Sequence, residues 1–465
     1  MRVAKQVLAG GFPSVISLGE MLRNGACTSV DLVEVALQKI DAHDQQLHAF
    51  VEVYAKEALL AAQAADNLIR AGYAAGPLHG IPVALKDNVD VRGRRSTAGS
   101  PMLANRVAER NAWITQRLLE AGCVILGKTH MVEFALGGWG TNEFMGSPRN
   151  PWGREDHFSS GGSSSGSAVA VAAGMVPLAI GTDTGGSVRV PAAMCGVTGF
   201  KPTIHRLKED GVVPLSSTVD SVGVLSKTAE DAALLFATLT GDARAFPTSQ
   251  FQSGSTVGLR GVRVGVLGDE DLKGLQPEVL ESYSRAVGQF KEQGAHLRRL
   301  VLPMELDDFA HLASAIMLSE AASSWGDLAA DERCQIDRAV RPRIVAGSKV
   351  TAKAYVDALR KRDSMKVAFG DAFGDLDVFL TPTTPQTAQP ISGVDHSNQP
   401  VRYTRIGNLL DLCAISVQSG KDDQGLPVGL QIAGPAGSDA QVLAVARSYQ
   451  ACTRWHDRHW TPSTG

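Results

Sequence analysis

Ser160-Gly161-Gly162-Ser163-Ser164-Ser165-Gly166-Ser167 runs directly into the alanine-rich stretch Ala168–Ala173, and Gly181-Thr-Asp183-Thr184-Gly185-Gly186-Ser187-Val-Arg189-Val-Pro191 follows shortly after. A Gly/Ser run is ordinarily a flexible linker, but a linker does not pass at once into an apolar helix. Upstream, Pro82-Val-Ala-Leu-Lys86-Asp87-Asn88 places a lysine at the end of an apolar strand rather than in a charge run. Gly185 and Gly186 let the backbone amides ahead of Ser187 approach a ligand closely. Short apolar runs that alternate with glycine-rich turns and helical stretches predict an α/β fold, with its sheet covered by helices on both faces.

Outward from this core, the expected elements fall into three parts. The N-terminal segment, about 1–75, reads as helices. Thr28 or Ser29 caps a helix over Asp31–Ala42 with Val33, Leu37 and Ile40 on one face, and a second helix covers about Val53 to Ala71. In the part from about 76 to 240, Ile81–Leu85 and Cys123–Leu126 read as strands, with Val107–Ala121 and His130–Leu136 as helices. In the part from about 261 to 455, Val262–Leu267, Val378–Leu380 and Ala414–Val417 read as strands and Pro277–Gln293 as a helix. The best linker candidate is Thr240–Gly261, taken as a long surface loop within one domain spanning 1–465.

The chain has 465 residues, 44% hydrophobic and 20% charged, which excludes a disordered chain, a collagen-like rod and a coiled coil. A formal net charge of −3 offers no electrostatic argument for nucleic acid or an anionic membrane. Six scattered cysteines contain no Cys-x-x-Cys pair and predict reduced thiols. Arg2 and Lys5 precede only a weak apolar run broken by Gly10, Gly11 and Pro13, unlike a signal peptide. The longest apolar run, Ala168–Ile180, is too short for a bilayer. The expected location is cytoplasmic.

Three motif readings compete. Gly122-Cys-Val-Ile-Leu-Gly127-Lys128-Thr129 fits the Walker A pattern, yet a phosphate cradle needs a polar loop and Cys-Val-Ile-Leu predicts a buried strand. Gly162–Gly166 fits a nucleophile elbow, but the polar, turn-like stretch Pro151–Ser160 stands where a strand is required. His79, His130, His157 and His205 then have no evident triad role. The third reading takes Lys86, Ser163 and Ser187 together.

In this order and spacing, the three segments closely resemble the amidase signature family. The 24-residue interval from Ser163 to Ser187 matches the family's two serines. Gly80-Ile-Pro-Val, Gly127-Lys-Thr, Asn150-Pro-Trp, Gly199-Phe-Lys-Pro-Thr203, Leu380-Thr-Pro-Thr-Thr-Pro385 and Gly425-Leu-Pro-Val-Gly-Leu-Gln431 also look like family segments. The resemblance covers about Val15 to Tyr449. It implies an α/β/α sandwich with a large mixed, mostly parallel twisted sheet. It also implies a Ser–cis-Ser–Lys triad: Ser187 the nucleophile, Ser163 the bridge across a cis Gly162–Ser163 peptide, and Lys86 the base.

The chemistry stands without the family name. A serine hydroxyl is a poor nucleophile at neutral pH and needs a base as it attacks. A free lysine, with a pKa of about 10.4, stays protonated, so Lys86 must be buried to act. Backbone N–H groups of Thr184, Gly185, Gly186 and Ser187 would stabilise the oxyanion. Asp183 and Arg189 flank this loop and are read as its supports, with direct contact between Arg189 and substrate the alternative. Gly138, Trp139 and Thr141 fall where the family lines its acyl pocket. No metal or organic cofactor is implied.

The expected reaction is hydrolysis of a linear carboxamide, or a related carbamate or urea-type C–N bond, through an acyl-Ser187 ester. The expected partners are a small-molecule amide, with neither nucleic acid nor membrane; a homodimer is possible. Ser165 departs from the glycine of many relatives. Hydrolases of urea-derived amides such as allophanate can carry this triple serine, which points to small polar substrates. The alternative is the glutaminase (A) subunit of a tRNA-dependent amidotransferase, which acts with partner chains. Such a subunit holds the glutamine ammonium with an acid just before a Thr-x-x-x-Asn segment. Here that segment is Thr404–Asn408, and Val401 stands at the acid's place. Outside the family lie a non-catalytic scaffold, disfavoured because Lys86, Ser163 and Ser187 are all present, and a nucleotide-binding protein resting on Gly122–Thr129 alone.

Overall fold

Val83 and Leu85 enter one apolar cluster while Ala84, between them, enters another. This is the period-2 signature of a strand buried on both faces. The computed structural model, which describes Leu8 and residues 11–153, 156–246 and 258–461, repeats the pattern across the sheet. Val378 and Leu380 join the first cluster and Phe379 a third; Cys413, Ile415 and Val417 join the first and Ala414 the third.

Among the described residues, eleven strands form one sheet: β1 Phe50–Val53, β2 Pro82–Lys86, β3 Val124–Thr129, β4 Leu178–Asp183, β5 Thr198–Lys201, β6 Ser221–Ser226, β7 Arg263–Val266, β8 His296–Arg299, β9 Val378–Pro382, β10 Cys413–Lys421 and β11 Pro427–Gly434. Their spatial order is β1-β3-β2-β4-β6-β5-β10-β11-β9-β7-β8. The helices Ala229–Thr240, Pro277–Glu292 and Asp439–Thr453 contribute to the first cluster. Ala55–Arg70, Ser165–Ala172 and Arg189–Cys195 contribute to the second, and Leu306–Ala330 with Ala352–Phe373 to the third. The sandwich is the expected α/β fold.

The sheet is mixed, but less parallel than expected. Four strand pairings are parallel (β2 with β3 and β4, β7 with β8 and β9) and six are antiparallel. The short link between β10 and β11 permits only a hairpin, and β6 lies antiparallel between β4 and β5.

Several element bounds differ from expectation. The first expected helix runs longer, Ser29–Leu47, with a reciprocal capping box between Thr28 and Asp31. Phe50-Val-Glu-Val53, rich in β-formers, becomes β1 and pairs with β3, so the next helix starts only at Ala55. Val107 forms a bridge with Arg95, and the following helix is confined to Trp113–Glu120. His130–Leu136 holds no more than a short turn, Glu133–Ala135, in which Phe134 and Ala135 are left-handed. Phe134 donates its N–H to Ala98 O across the fold (2.8 Å) and stacks on Trp325, so these contacts replace helical bonds. Of the linker candidate Thr240–Gly261, residues 247–257 lie outside the described residues; Ala245 and Phe246 on one side and Leu259 on the other enter the same core.

Gly127-Lys128-Thr129 lies inside β3, and Lys128 is buried against Asp87 at 3.1 Å. A lysine held in that ion pair has no charge to offer a phosphate, which removes the Walker A reading. Among the described residues, no helix is long and apolar enough to cross a membrane, and all six cysteines are unpaired thiols.

Phe379 packs edge-on against Phe369 and Phe373. Phe379→Ala is expected to cost about 3–5 kcal/mol, read as a fall in the urea midpoint with little change in m-value.

Candidate active site

Parallel neighbours β2 and β4 run in register, Leu85 beside Ile180, so Lys86 and Thr182 emerge side by side at their carboxyl ends. Ligands of open α/β sheets bind beyond such ends. Lys86 is fully buried, and its Nζ donates to Ser163 Oγ at 2.8 Å and to Thr182 Oγ1 at 2.7 Å. Thr182 Oγ1 also accepts from Asn88 Nδ2 at 3.2 Å. Burial pulls the Lys86 pKa down to about 7, against the opposing charges of Asp220 and Asp183. A lysine there titrates at neutral pH and can hold or release a proton through Ser163.

Ser163 is brought to Lys86 by the turn before the helix Ser165–Ala172, and the Gly162–Ser163 peptide is cis. Ser164 locks this turn to the next segment: its N–H donates to Ser187 O at 3.0 Å, and its Oγ donates to Thr182 O at 3.1 Å. A nucleophile elbow would aim Ser164 at solvent; here it is buried. Ser165 Oγ is likewise buried and lies 3.4 Å from His130 O.

Ser187 follows β4 in the turn that opens the helix Arg189–Cys195. Its Oγ has no hydrogen-bond partner among the described residues, and its side chain lines a small cavity. The backbone N–H groups of Thr184, Gly185 and Ser187 are also unpaired among the described residues. Gly186 differs from expectation: its N–H donates to Asp183 Oδ1 at 2.7 Å and is not available to a substrate. Gly186 has φ +127°, and a Cβ there would lie 2.2 Å from Thr404 Oγ1, so no other residue fits. At Gly185 a Cβ would meet only Arg405, with Cγ at 3.5 Å; the protein leaves room there that a side chain would take from a ligand.

Asp183 and Arg189, both without exposed surface, form the support of this loop. Arg189 Nη2 donates to Asp183 Oδ1 (2.8 Å) and Asn408 Oδ1 (2.6 Å), and Nη1 to Thr404 O (2.8 Å) and Gln431 Oε1 (2.7 Å). Burial by itself would raise the Asp183 pKa, but the Arg189 guanidinium holds its carboxyl far below the usual range. Every Arg189 bond goes to protein, which leaves nothing for direct substrate contact.

Of the expected pocket residues, Gly138 lines the cavity. Trp139 does not: it is 2% exposed, packs on Phe158, Val190 and Met194, and donates Nε1 to Asp395 O and Asn398 O. Thr141 does not line the cavity either. The indole is spent on holding residues 395–398, so no aromatic face is offered. The cavity is instead lined by Leu136, Met317 and Val401 with Arg343, Gln399 and Arg405. Sequence reasoning missed Thr182, Asp220 and the two arginines. Thr182 sits beside Asp183 in the decisive motif, and Arg405 lies inside Thr404–Asn408, so both were within sight; no local pattern marks Asp220 or Arg343. Asp220 accepts from Thr184 Oγ1 at 2.5 Å and from the N–H groups of Leu215 and Ser216, and burial raises its pKa to about 6. His79, His130, His157 and His205 do not line the cavity. No group of three or more His, Cys, Asp or Glu among the described residues could hold a metal ion.

The profile of the Amidase family matches residues 31–443. The chain belongs to the amidase signature family. A similar relative is the A subunit of the glutamyl-tRNA(Gln) amidotransferase of Thioalkalivibrio sulfidiphilus, 37% identical over 96% of this chain and 98% of that one. Among solved structures, the peptide amidase of Stenotrophomonas maltophilia superposes with a TM-score of 0.82 at 30% identity, covering 95% of this chain and 97% of that one. A structure described in connection with an s-triazine catabolic enzyme gives 0.86 at 28% identity, covering 95% and 98%.

Arg189→Met strands the buried Asp183 charge, and the expected loss is about 3–5 kcal/mol of stability, seen as an earlier unfolding transition in denaturant. A surface arginine such as Arg333, exposed and paired only with Asp331, serves as the control, with a change of at most about 1 kcal/mol.

Proposed function

We propose that this amidase-family chain hydrolyses a small carboxamide through an acyl-Ser187 ester. The observation that carries the reading is the buried Lys86 Nζ, 2.8 Å from Ser163 Oγ, with the next residue, Ser164, bonded through its N–H to Ser187 O. In the neutral state Lys86 accepts the Ser163 proton while Ser163 takes the Ser187 proton, and Ser187 Oγ bonds to the carbonyl carbon. The N–H groups of Thr184, Gly185 and Ser187 are the available donors for the resulting oxyanion. The same relay then returns the proton to the leaving nitrogen, the C–N bond breaks, and ammonia departs. Water attacks the ester by the same relay and frees the acid.

A second reading has its own support. The 37% identical relative is the A subunit of an amidotransferase, and a chain of that kind would draw ammonia from glutamine in company with partner chains. Against it stands Val401, an apolar residue lining the cavity where an ammonium would need an acid. The two readings share the Ser187 chemistry and differ in substrate and partners. Ammonia release from glutamine only in the presence of partner amidotransferase chains would select the second.

Ser187→Ala is expected to lower ammonia release from any accepted amide by at least roughly 10³-fold while leaving the thermal midpoint almost unchanged. For the wild type, kcat/KM is expected to climb with pH through about 7, as Lys86 loses its proton, and Lys86→Met should abolish that limb with the activity. A flat profile between pH 6 and 8 would remove Lys86 from the base role.

A further inference from the structure

Asp220 immediately precedes β6, which runs antiparallel to β4 with Ser221 opposite Asp183. One step further out, Asp220 comes to lie beside Thr184, at the start of the loop that presents Ser187. Its Oδ1 accepts from Thr184 Oγ1 at 2.5 Å, and its Oδ2 accepts from the N–H groups of Leu215 at 2.9 Å and Ser216 at 3.0 Å. Thr184 and Leu215 both line the small cavity beside Ser187. The carboxylate therefore ties the loop to the Leu215 segment of the cavity wall.

These donors are neutral. Asp220 is buried and forms no ion pair among the described residues. A buried carboxylate answered only by neutral donors keeps an uncompensated electrostatic cost. The charge that acts on it is that of Lys86, which favours the ionised carboxylate; Glu320 stands one step away, on Ser216 Oγ and the Thr218 N–H. In return Asp220, ahead of Asp183, favours the protonated amine of Lys86. Asp183 is already taken up by Arg189 at 2.8 Å and feels Lys201 as well, so Asp220 is the acid left to answer a charge on Lys86.

Burial draws Lys86 down to about 7 and raises Asp220 to about 6. Above neutral pH the amine is therefore neutral while the carboxylate is ionised. The two become a full charge pair when Lys86 receives the Ser163 proton as Ser187 attacks. An anion that meets a cation formed only during the reaction stabilises the transition state more than the ground state. A buried aspartate does the same for the imidazolium in serine–histidine hydrolases.

Resting on the amidohydrolase reading of Ser187, we propose that Asp220 is a positioning residue with two tasks: it is the counter-ion of the ammonium that Lys86 becomes during the reaction, and it holds Thr184, an oxyanion donor, in place. The proton passes from Ser187 Oγ to Ser163 Oγ and from Ser163 Oγ to Lys86 Nζ; Asp220 takes up no proton and forms no covalent bond.

Two variants of the whole chain separate the tasks, with propionamide, benzamide and glutamine as probe amides. In Asp220→Asn the new amide still accepts the Leu215 and Ser216 N–H groups through its oxygen and donates to Thr184 Oγ1 through its nitrogen. The loop stays tied and the charge is gone. Thr184→Val loosens the loop and keeps the charge. Without the anion the protonated amine is less favoured, so Asp220→Asn should move the rising limb of kcat/KM down by roughly one pH unit. The plateau should fall by up to about 10-fold, the factor that one pH unit represents. The two profiles converge below the limb, where both proteins start from protonated Lys86, whereas a merely structural loss lowers kcat/KM equally at every pH. Thr184→Val is expected to lower kcat/KM at every pH with the limb in place.

A second measurement needs no turnover: NMR titration of ¹³C-labelled lysine and aspartate in Ser187→Ala. Lys86 should titrate roughly one pH unit lower when Asp220→Asn is added. By reciprocity, the Asp220 carboxyl should titrate higher by the same amount when Lys86→Met is added. The Lys86→Met arm leaves Asp220 intact and decides the matter even where Asp220→Asn does not fold. Unmoved midpoints in folded proteins overturn the counter-ion, as does a limb that moves equally far in Thr184→Val. An active Asp220→Asn enzyme with its limb unmoved overturns it while leaving the Ser187 reading intact. Moved midpoints in a chain silent toward every amide uphold the pairing and sink the hydrolase reading instead.

Discussion

The site depends on one buried ion pair. Arg189 and Asp183 share no surface with solvent, and neither charge could stand alone at that depth. Their bonds reach four places in sequence: the turn of residues 186–189, Thr404, Asn408 and Gln431. The loop that presents Ser187 is thereby held against the opposite half of the chain. Asn408 closes the arrangement from the other side by donating to Asp183 O at 2.8 Å. Because Asp183 takes the Gly186 N–H for this purpose, the loop gives up one backbone donor in order to hold the remaining ones still. Binding geometry and stability therefore draw on the same carboxylate.

A second consequence follows from depth. Lys86 lies at the end of a strand buried on both faces, and the loss of hydration moves its titration toward neutrality. The neighbouring acids work the other way: Asp220 and Asp183 favour the charged amine. The balance is kept because Asp183 is neutralised by Arg189 and Asp220 is itself raised by burial to about 6. A lysine in the same sequence position on an exposed strand would remain protonated and inert. Strand register, not residue type alone, sets where this lysine titrates.

Much of this was legible in the sequence, and the limits have physical causes. The strands β2, β3, β9 and β10 announce themselves by apolar runs with glycine or proline at their ends, and Ser163 and Ser187 stand in a rare enough pattern to be singled out. The short stretch His130–Leu136 reads as a helix from its apolar spacing, yet Phe134 finds a better partner in Trp325 and a backbone bond with Ala98. Phe50–Val53 carries no strand assignment from the sequence, and its last residue is taken as the start of the alanine-rich helix, until β3 is placed beside it. Trp139 reads as a candidate stacking surface because aromatic residues often bind substrate. Its indole is buried among Phe158, Val190 and Met194. Such outcomes turn on partners distant in sequence, which local propensity does not contain.

By itself the sequence determined the α/β class, the alternation of strand, turn and helix, and the candidate chemistry of Lys86, Ser163 and Ser187, because periodicity and glycine placement are local properties. The tertiary structure alone decided which backbone amides stay free beside Ser187, that Lys128 is committed to Asp87, and that Arg343 and Arg405 converge on one cavity. Those two arginines lie 62 residues apart in sequence, on separate helices. Their charges add at one point only after the helix Leu306–Ala330 holds one of them through Ala310 and Ser314 while the Leu136 carbonyl holds the other. Electrostatic environment is a sum over space, and no order of residues along a chain expresses it.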